Sequence, residues 1–132
     1  NLLFVNNTLL AVNEEGTGVV FLDVSDPDNL TEQSTYSVQS GLIGHFIADE
    51  NRAYIKTGAR HLEIVDISDP ARPALLGSAD LVGRVRDFAL RDTLLFSGYV
   101  VNTGDRGVGI YSVAAAQQPV LLHTLATAGT PN

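Results

Sequence analysis

With no cysteine in the chain, thiolate nucleophiles, Cys-based zinc or iron–sulfur sites and disulfides are excluded, which leaves histidines, carboxylates and hydroxyls to do any chemistry. His45, His61 and Asp87 are the residues that could ligate a metal. They come from separate stretches and lack any ligand spacing such as a helical His pair, so no metal and no other cofactor is expected. The aspartates Asp23, Asp26, Asp66 and Asp69 invite a calcium reading, but a calcium loop needs closely spaced oxygens from one run, and none is present. Asp26-Pro27 and Asp69-Pro70 read instead as turn chemistry, an acidic side chain capping backbone N–H groups beside a proline of fixed φ. No Gly-x-Ser-x-Gly elbow frames a serine nucleophile. Gly104-Asp105-Arg106-Gly107-Val108-Gly109 precedes no helix pattern, so it reads as a hairpin loop rather than a phosphate cradle.

The elements that carry these residues repeat. Val20-Phe21-Leu22-Asp23-Val24-Ser25-Asp26-Pro27 recurs as Glu63-Ile64-Val65-Asp66-Ile67-Ser68-Asp69-Pro70, and again as Gly109-Ile110-Tyr111-Ser112-Val113-Ala114-Ala115-Ala116. The spacing of about 44 residues points to a stack of like units rather than to the much shorter coils of a β-helix. Each unit is expected to hold four short strands, a to d. Strand a covers Leu2-Val5, Phe46-Ala48 and Phe88-Leu90, and strand b covers Leu9-Val12, Ala53-Thr57 and Leu94-Ser97. Strand c is the repeated run, and strand d covers Thr31-Val38, Ala74-Ala79 and Val120-Leu125. Polar turns such as Asp49-Glu50-Asn51 follow strand a, and glycines including Gly41 and Gly77 join the units. Pro73 and Pro119 head strand d, which suits an outer edge where a missing N–H costs little, and strand a is then nearest the axis. The nearly continuous apolar runs Val19-Val20-Phe21-Leu22 and Val120-Leu121-Leu122 predict strands buried on both faces, as in stacked sheets. Ala114-Ala115-Ala116 predicts a short helical turn in the third unit.

The segment Leu62-Glu63-Ile64-Val65-Asp66-Ile67-Ser68-Asp69-Pro70, with Pro73 before the outer strand, resembles the LVIVD repeat of β-propellers. The first unit keeps Asp23, Ser25, Asp26 and Pro27 but has Leu30 at the second proline, and the third keeps only Pro119. The resemblance implies a propeller-forming protein, often of the extracellular, cell-surface or periplasmic kind, and it does not imply an enzyme. The expected fold is all-β: three four-stranded antiparallel blades of a propeller over residues 1–40, 41–82 and 83–127, with a tail at 128–132. Propellers close with four to eight blades. Three units are therefore expected to form an open partial ring, completed by blades from the same longer protein or from other copies of the chain, the missing initiator methionine favouring the first. Exposed apolar faces of that size mark interfaces.

In such a scaffold the b–c loops and d–a links gather on one rim. His45, Arg84, Arg86 and Asp87 precede inner strands, and Glu14, Glu15, Arg60, His61, Asp105 and Arg106 fall in the loops. This rim is the expected binding surface, since ligand sites favour variable loops on a rigid frame. His45 is expected to be hydrogen-bonded in the channel or between blades, His61 solvated in its loop, and His123 on the surface. Tyr54, Tyr99, Tyr111, Phe21, Phe46, Phe88 and Phe96 are expected in the core. Fifteen acidic residues against eight basic ones, one of them the single lysine Lys56, give a net charge of −7. That balance disfavours nucleic acid and anionic lipid as partners, and no apolar stretch is long enough to insert in a membrane. The expected function is a non-catalytic module for protein interaction and blade assembly. The alternative is a hydrolase or metal-dependent enzyme that uses the loop rim of a completed propeller.

Overall fold

The computed structural model describes residues 2–14, 18–38, 43–49 and 51–127. Glu15, Gly41, Glu50 and the tail lie outside the described residues. Among the described residues twelve strands run in order: β1 (Leu2–Phe4), β2 (Leu9–Glu14), β3 (Gly18–Asp23), β4 (Thr31–Tyr36), β5 (Ile43–Ala48), β6 (Arg52–Thr57), β7 (His61–Asp66), β8 (Ala74–Asp80), β9 (Arg84–Arg91), β10 (Leu94–Val100), β11 (Arg106–Ser112) and β12 (Val120–Thr127). They form three antiparallel four-stranded meanders, β1-β2-β3-β4, β5-β6-β7-β8 and β9-β10-β11-β12. The fold is all-β, with three propeller-type blades in an open array.

Side-chain alternation decides how the sheets stack. Along β7, Val65 and the following Ile67 join a core with Ala11, Val19 and Phe21 of the first sheet, while Leu62 and Ile64 join a core with Val85, Leu95 and Tyr111 of the third. The middle sheet is thus covered on both faces, which is why Leu62 to Val65 are fully buried. The inner strands converge on one axis: a depression of about 620 Å³ is lined by Leu3 of β1, Ile47 and Ala48 of β5, and Phe88 and Leu90 of β9. Strand a is accordingly innermost.

Two expectations need correction. Val120, Leu121 and Leu122 are 44 to 55% exposed rather than buried on both faces, because β12 is the outer edge of the last sheet and no other described element lies over it. The turn at Ala114-Ala115-Ala116 is not helical. The Gln118 N–H donates to the Ala115 carbonyl at 3.0 Å, as Asn29 does to Asp26 and Arg72 to Asp69. The same turn forms three times, and only its side-chain caps change.

Candidate functional site

One end of the blades, here the upper rim, carries the β6–β7 and β10–β11 loops and the β8–β9 link. The other, the lower rim, carries the β1–β2 type turns and the Ser-Asp-Pro turns. The structure moves several expected rim residues out of loops. His45 lies within β5; Arg84, Arg86 and Asp87 lie within β9; His61 begins β7 and Arg106 begins β11. Of the eight candidates only Arg60 and Asp105 remain in loops. The inner strands start earlier than their apolar residues suggest, because backbone pairing with β6 and β10 continues through the polar residues.

The seam between the second and third sheets holds most of the polar geometry. His45 Nε2 lies 3.0 Å from Asp87 Oδ1, and the imidazole rests on the Phe88 ring with centroids 5.0 Å apart. In the same seam Lys56 Nζ donates to the Val85 carbonyl at 3.3 Å. Burial pushes the lysine below its ordinary pKa, helped by the nearby Arg84 charge. Arg52 Nη1 donates to the Val113 carbonyl at 2.9 Å, and Tyr111 Oη accepts the Val82 N–H at 2.7 Å. All of these contacts hold one sheet against the next.

His61 is not a free loop residue. Its Nδ1 lies 2.9 Å from Asp80 Oδ1, and Arg60 approaches the other oxygen at 3.8 Å. The His61 hydrogen bond holds the Asp80 carboxyl below the usual range. His61 and His45 therefore serve different carboxylates. Among the described residues, no group of three or more histidines and carboxylates is close enough to hold a metal ion. His123, in β12, is exposed. Phe96 and Tyr99 are only half-buried; Tyr54, Tyr111, Phe21, Phe46 and Phe88 are in the core.

Arg86 owes its position to a bulge. Gly98 pairs with Asp87 and Tyr99 with Val85, so Arg86 is the extra residue between them. A matching shift in β5 leaves Gly44 as the extra residue between Ile43 and His45. The two blades exchange a cation and a glycine at these positions. In the second, Lys56 of β6 lies over Gly44; in the third, Arg86 of β9 lines a cleft with Gly98 of β10. That cleft, of about 350 Å³, also takes in Val100, Arg106 and Thr127.

On the lower rim the aspartates cap backbone. Asp23 Oδ1 accepts the Ser25 N–H at 2.9 Å and Asp66 Oδ1 the Ser68 N–H at 2.9 Å, while Asp26 and Asp69 accept from Asp28 and Ala71. Pro27 and Pro70 follow the second cap in each turn. Hydrogen bonds from Ser25 hold the Asp23 carboxyl below its ordinary pKa, and those from Ser68 do the same for Asp66. In the third turn Ser112 Oγ takes the place of the aspartate and accepts the Ala114 N–H at 3.5 Å.

Sequence reasoning missed the seam between the first and second sheets. Glu63 is fully buried in the middle of β7 and accepts a 2.6 Å hydrogen bond from Tyr36 Oη. Burial, then Glu63, raises the phenol's pKa well above its ordinary value. The Thr57 hydroxyl is buried on the same face and has no partner among the described residues. An acidic residue inside the apolar run Leu62 to Val65 was the available signal.

Residues 11–38 and 46–80 match the family model of the LVIVD repeat, a β-propeller-forming repeat. These two segments cover most of the first sheet and nearly all of the second. The third sheet, which carries Ser112 and Ala114 to Ala116 where its sisters have Asp and Ser-Asp-Pro, lies outside the match yet has the same four-stranded order. No curated protein matches the chain.

Proposed function

Because its first two sheets carry LVIVD repeats and the third repeats their strand order, we propose that the chain is a non-catalytic binding and assembly module. The outer faces of its first and third sheets pair with further blades, carried by the same longer polypeptide or by other copies, and its upper rim meets protein partners.

One observation carries this reading. Equivalent positions are buried where a neighbouring sheet covers them and open where none does. Ile55, paired with Glu63 on the face toward the first sheet, is fully buried, whereas its counterpart Val12, paired with Val20, is half-exposed. Tyr54, facing the third sheet, is 1% exposed, whereas its counterpart Phe96 is half-exposed. Leu2 and Phe4, on the outer side of β1, are 70 and 68% exposed. Covering such a face removes apolar area from water, worth roughly 25 cal/mol per Å², and supplies the packing that β7 already has on both sides.

The test is the mass of the chain in solution, by light scattering over a concentration series. Self-association that Phe4→Glu or Val108→Glu weakens is expected. A monodisperse monomer that binds no hydrophobic dye, and that neither substitution alters, would overturn the assembly reading.

A further inference from the structure

We propose that Arg86 and Arg106 form a carboxylate-binding pair at the upper end of the third sheet, flanked by Arg84, and that its ligand is an acidic peptide segment of a protein partner. The inference rests on the module reading: Arg106 shares the outer face of the third sheet with Val108 but stands at its upper rim, and the inference adds the chemistry of the partner met there.

Register and a bulge bring Arg86 and Arg106 to one cleft, while Arg84 flanks it on the side of Arg60 and Lys56. Arg84 pairs with Val100, Val100 with Arg106, and Arg106 with Thr127, so these four form one row across the sheet and share a face. Neighbouring strands are about 4.8 Å apart, which sets the backbones of Arg84 and Arg106 about 10 Å apart across Val100. Arg86, freed from the ladder by its bulge, lines the cleft with Arg106 and Thr127. Bulges characteristically re-aim a side chain in this way. Gly98 leaves the cleft floor without a side chain, and a Cβ there would have no backbone or side-chain atom closer than 3.8 Å.

The electrostatic setting singles out this cluster. In a chain with nearly twice as many acidic as basic residues, arginines have carboxylates available. Yet among the described residues none lies within 4 Å of Arg84, Arg86 or Arg106. The adjacent carboxylates are otherwise engaged: Asp87 is held by His45, and Asp105 accepts from Thr103 Oγ1 at 3.1 Å. Arg72 and Arg91 are also unpaired, but they stand among the aspartates of the lower rim. The guanidinium fork matches a carboxylate bidentately, which gives orientation as well as attraction. A nucleic-acid backbone is a poorer match, because the cluster spans one small cleft and the rest of the chain is anionic.

The experiment is fluorescence anisotropy of a labelled hexaglutamate peptide titrated with the chain at low salt, with hexaglutamine and a DNA duplex in parallel. Saturable binding of hexaglutamate alone is expected, weakening as salt rises. Arg86→Gln with Arg106→Gln should reduce affinity by roughly tenfold or more, while Arg72→Gln with Arg91→Gln should leave it unchanged. The exposed arginines carry no packing role, and a thermal melt of the double variant checks its fold. Arg86→Lys with Arg106→Lys, which keeps charge but loses the fork, should fall between. No saturable hexaglutamate binding, equal binding by the Gln double variant, or tighter binding of the duplex would overturn the proposal. Loss of self-association in the Gln double variant would make a second copy the occupant and overturn it too. Hexaglutamate binding by a strictly monomeric chain would retain the cluster while the assembly reading fails, so the two failures are distinguishable.

Discussion

Tyr36 Oη donates a 2.6 Å hydrogen bond to Glu63 Oε1 across the seam between the first and second sheets. The phenol is on the last residue of an outer strand and the carboxyl is in the middle of a neighbouring blade, so the bond ties two separate meanders. Tyr36→Phe keeps the ring and removes the donor. Because Glu63 then loses a partner in a buried seam, a stability loss of about 1–3 kcal/mol is expected in urea denaturation. Glu63→Gln keeps an acceptor oxygen and should cost less. A double-mutant cycle with coupling below about 0.5 kcal/mol would show that the contact does not bind the two sheets.

Close backbone approach, rather than turn geometry, fixes a second position. A Cβ on Gly77 would collide with the Ala116 carbonyl oxygen, where the lower turn of the third sheet rests on β8. Gly77→Ala forces backbone apart and should destabilise by about 1–3 kcal/mol. Gly98→Ala, with its nearest atom at 3.8 Å, should be close to neutral. Equal losses at both sites would remove the steric explanation.

The three meanders were legible because β-branched runs and Ser-Asp-Pro turns report local backbone preference, and local preference repeats with the unit. What the sequence could not convey depends on neighbours in space. Val120 to Leu122 has the same apolar character as Val19 to Phe21, but β3 is an inner strand flanked by β2 and β4, whereas β12 is the outer edge of its sheet. The third turn keeps its shape because its backbone bond does not require an aspartate or a proline. The rim residues were nearly all identified by type, and yet their arrangement was not. Register shifts at Gly44 and Arg86, and the choice of Asp80 rather than the metal-like partner set for His61, arise from pairing between strands.

The repeated lower turn also predicts a stabilising change. Asp26 and Asp69 each accept the N–H two residues on, at 3.0 and 3.1 Å, while the equivalent Ala115 is exposed and offers no acceptor. Ala115→Asp should supply that cap and raise stability by about 0.5–1 kcal/mol. The gain should vanish when the new carboxyl is protonated. An unchanged or lowered denaturation midpoint at neutral pH would show that the third turn differs from its sisters in more than its side chains.

The titratable groups set opposite limits on stability. Asp23, Asp66 and Asp80 have folded pKa values below the ordinary 3.8, the first two through hydrogen bonds from Ser25 and Ser68 and the third through His61. A depressed folded pKa means that the unfolded chain binds protons more readily, so their contribution is present above the unfolded value and is lost as pH falls through the folded one. Tyr36, Tyr54 and Tyr111 are raised above the ordinary 10.0, chiefly by burial. Here the folded state keeps the proton longer, so the contribution is present below pH 10 and declines as pH rises beyond it. Stability should therefore be level across neutral pH and fall at both ends. Asp66→Asn should shallow the acid limb alone and Tyr36→Phe the alkaline limb alone, as read by urea midpoints across pH. If Tyr36→Phe leaves the alkaline limb as steep as before, the buried phenol is not the group whose ionisation opens the first seam.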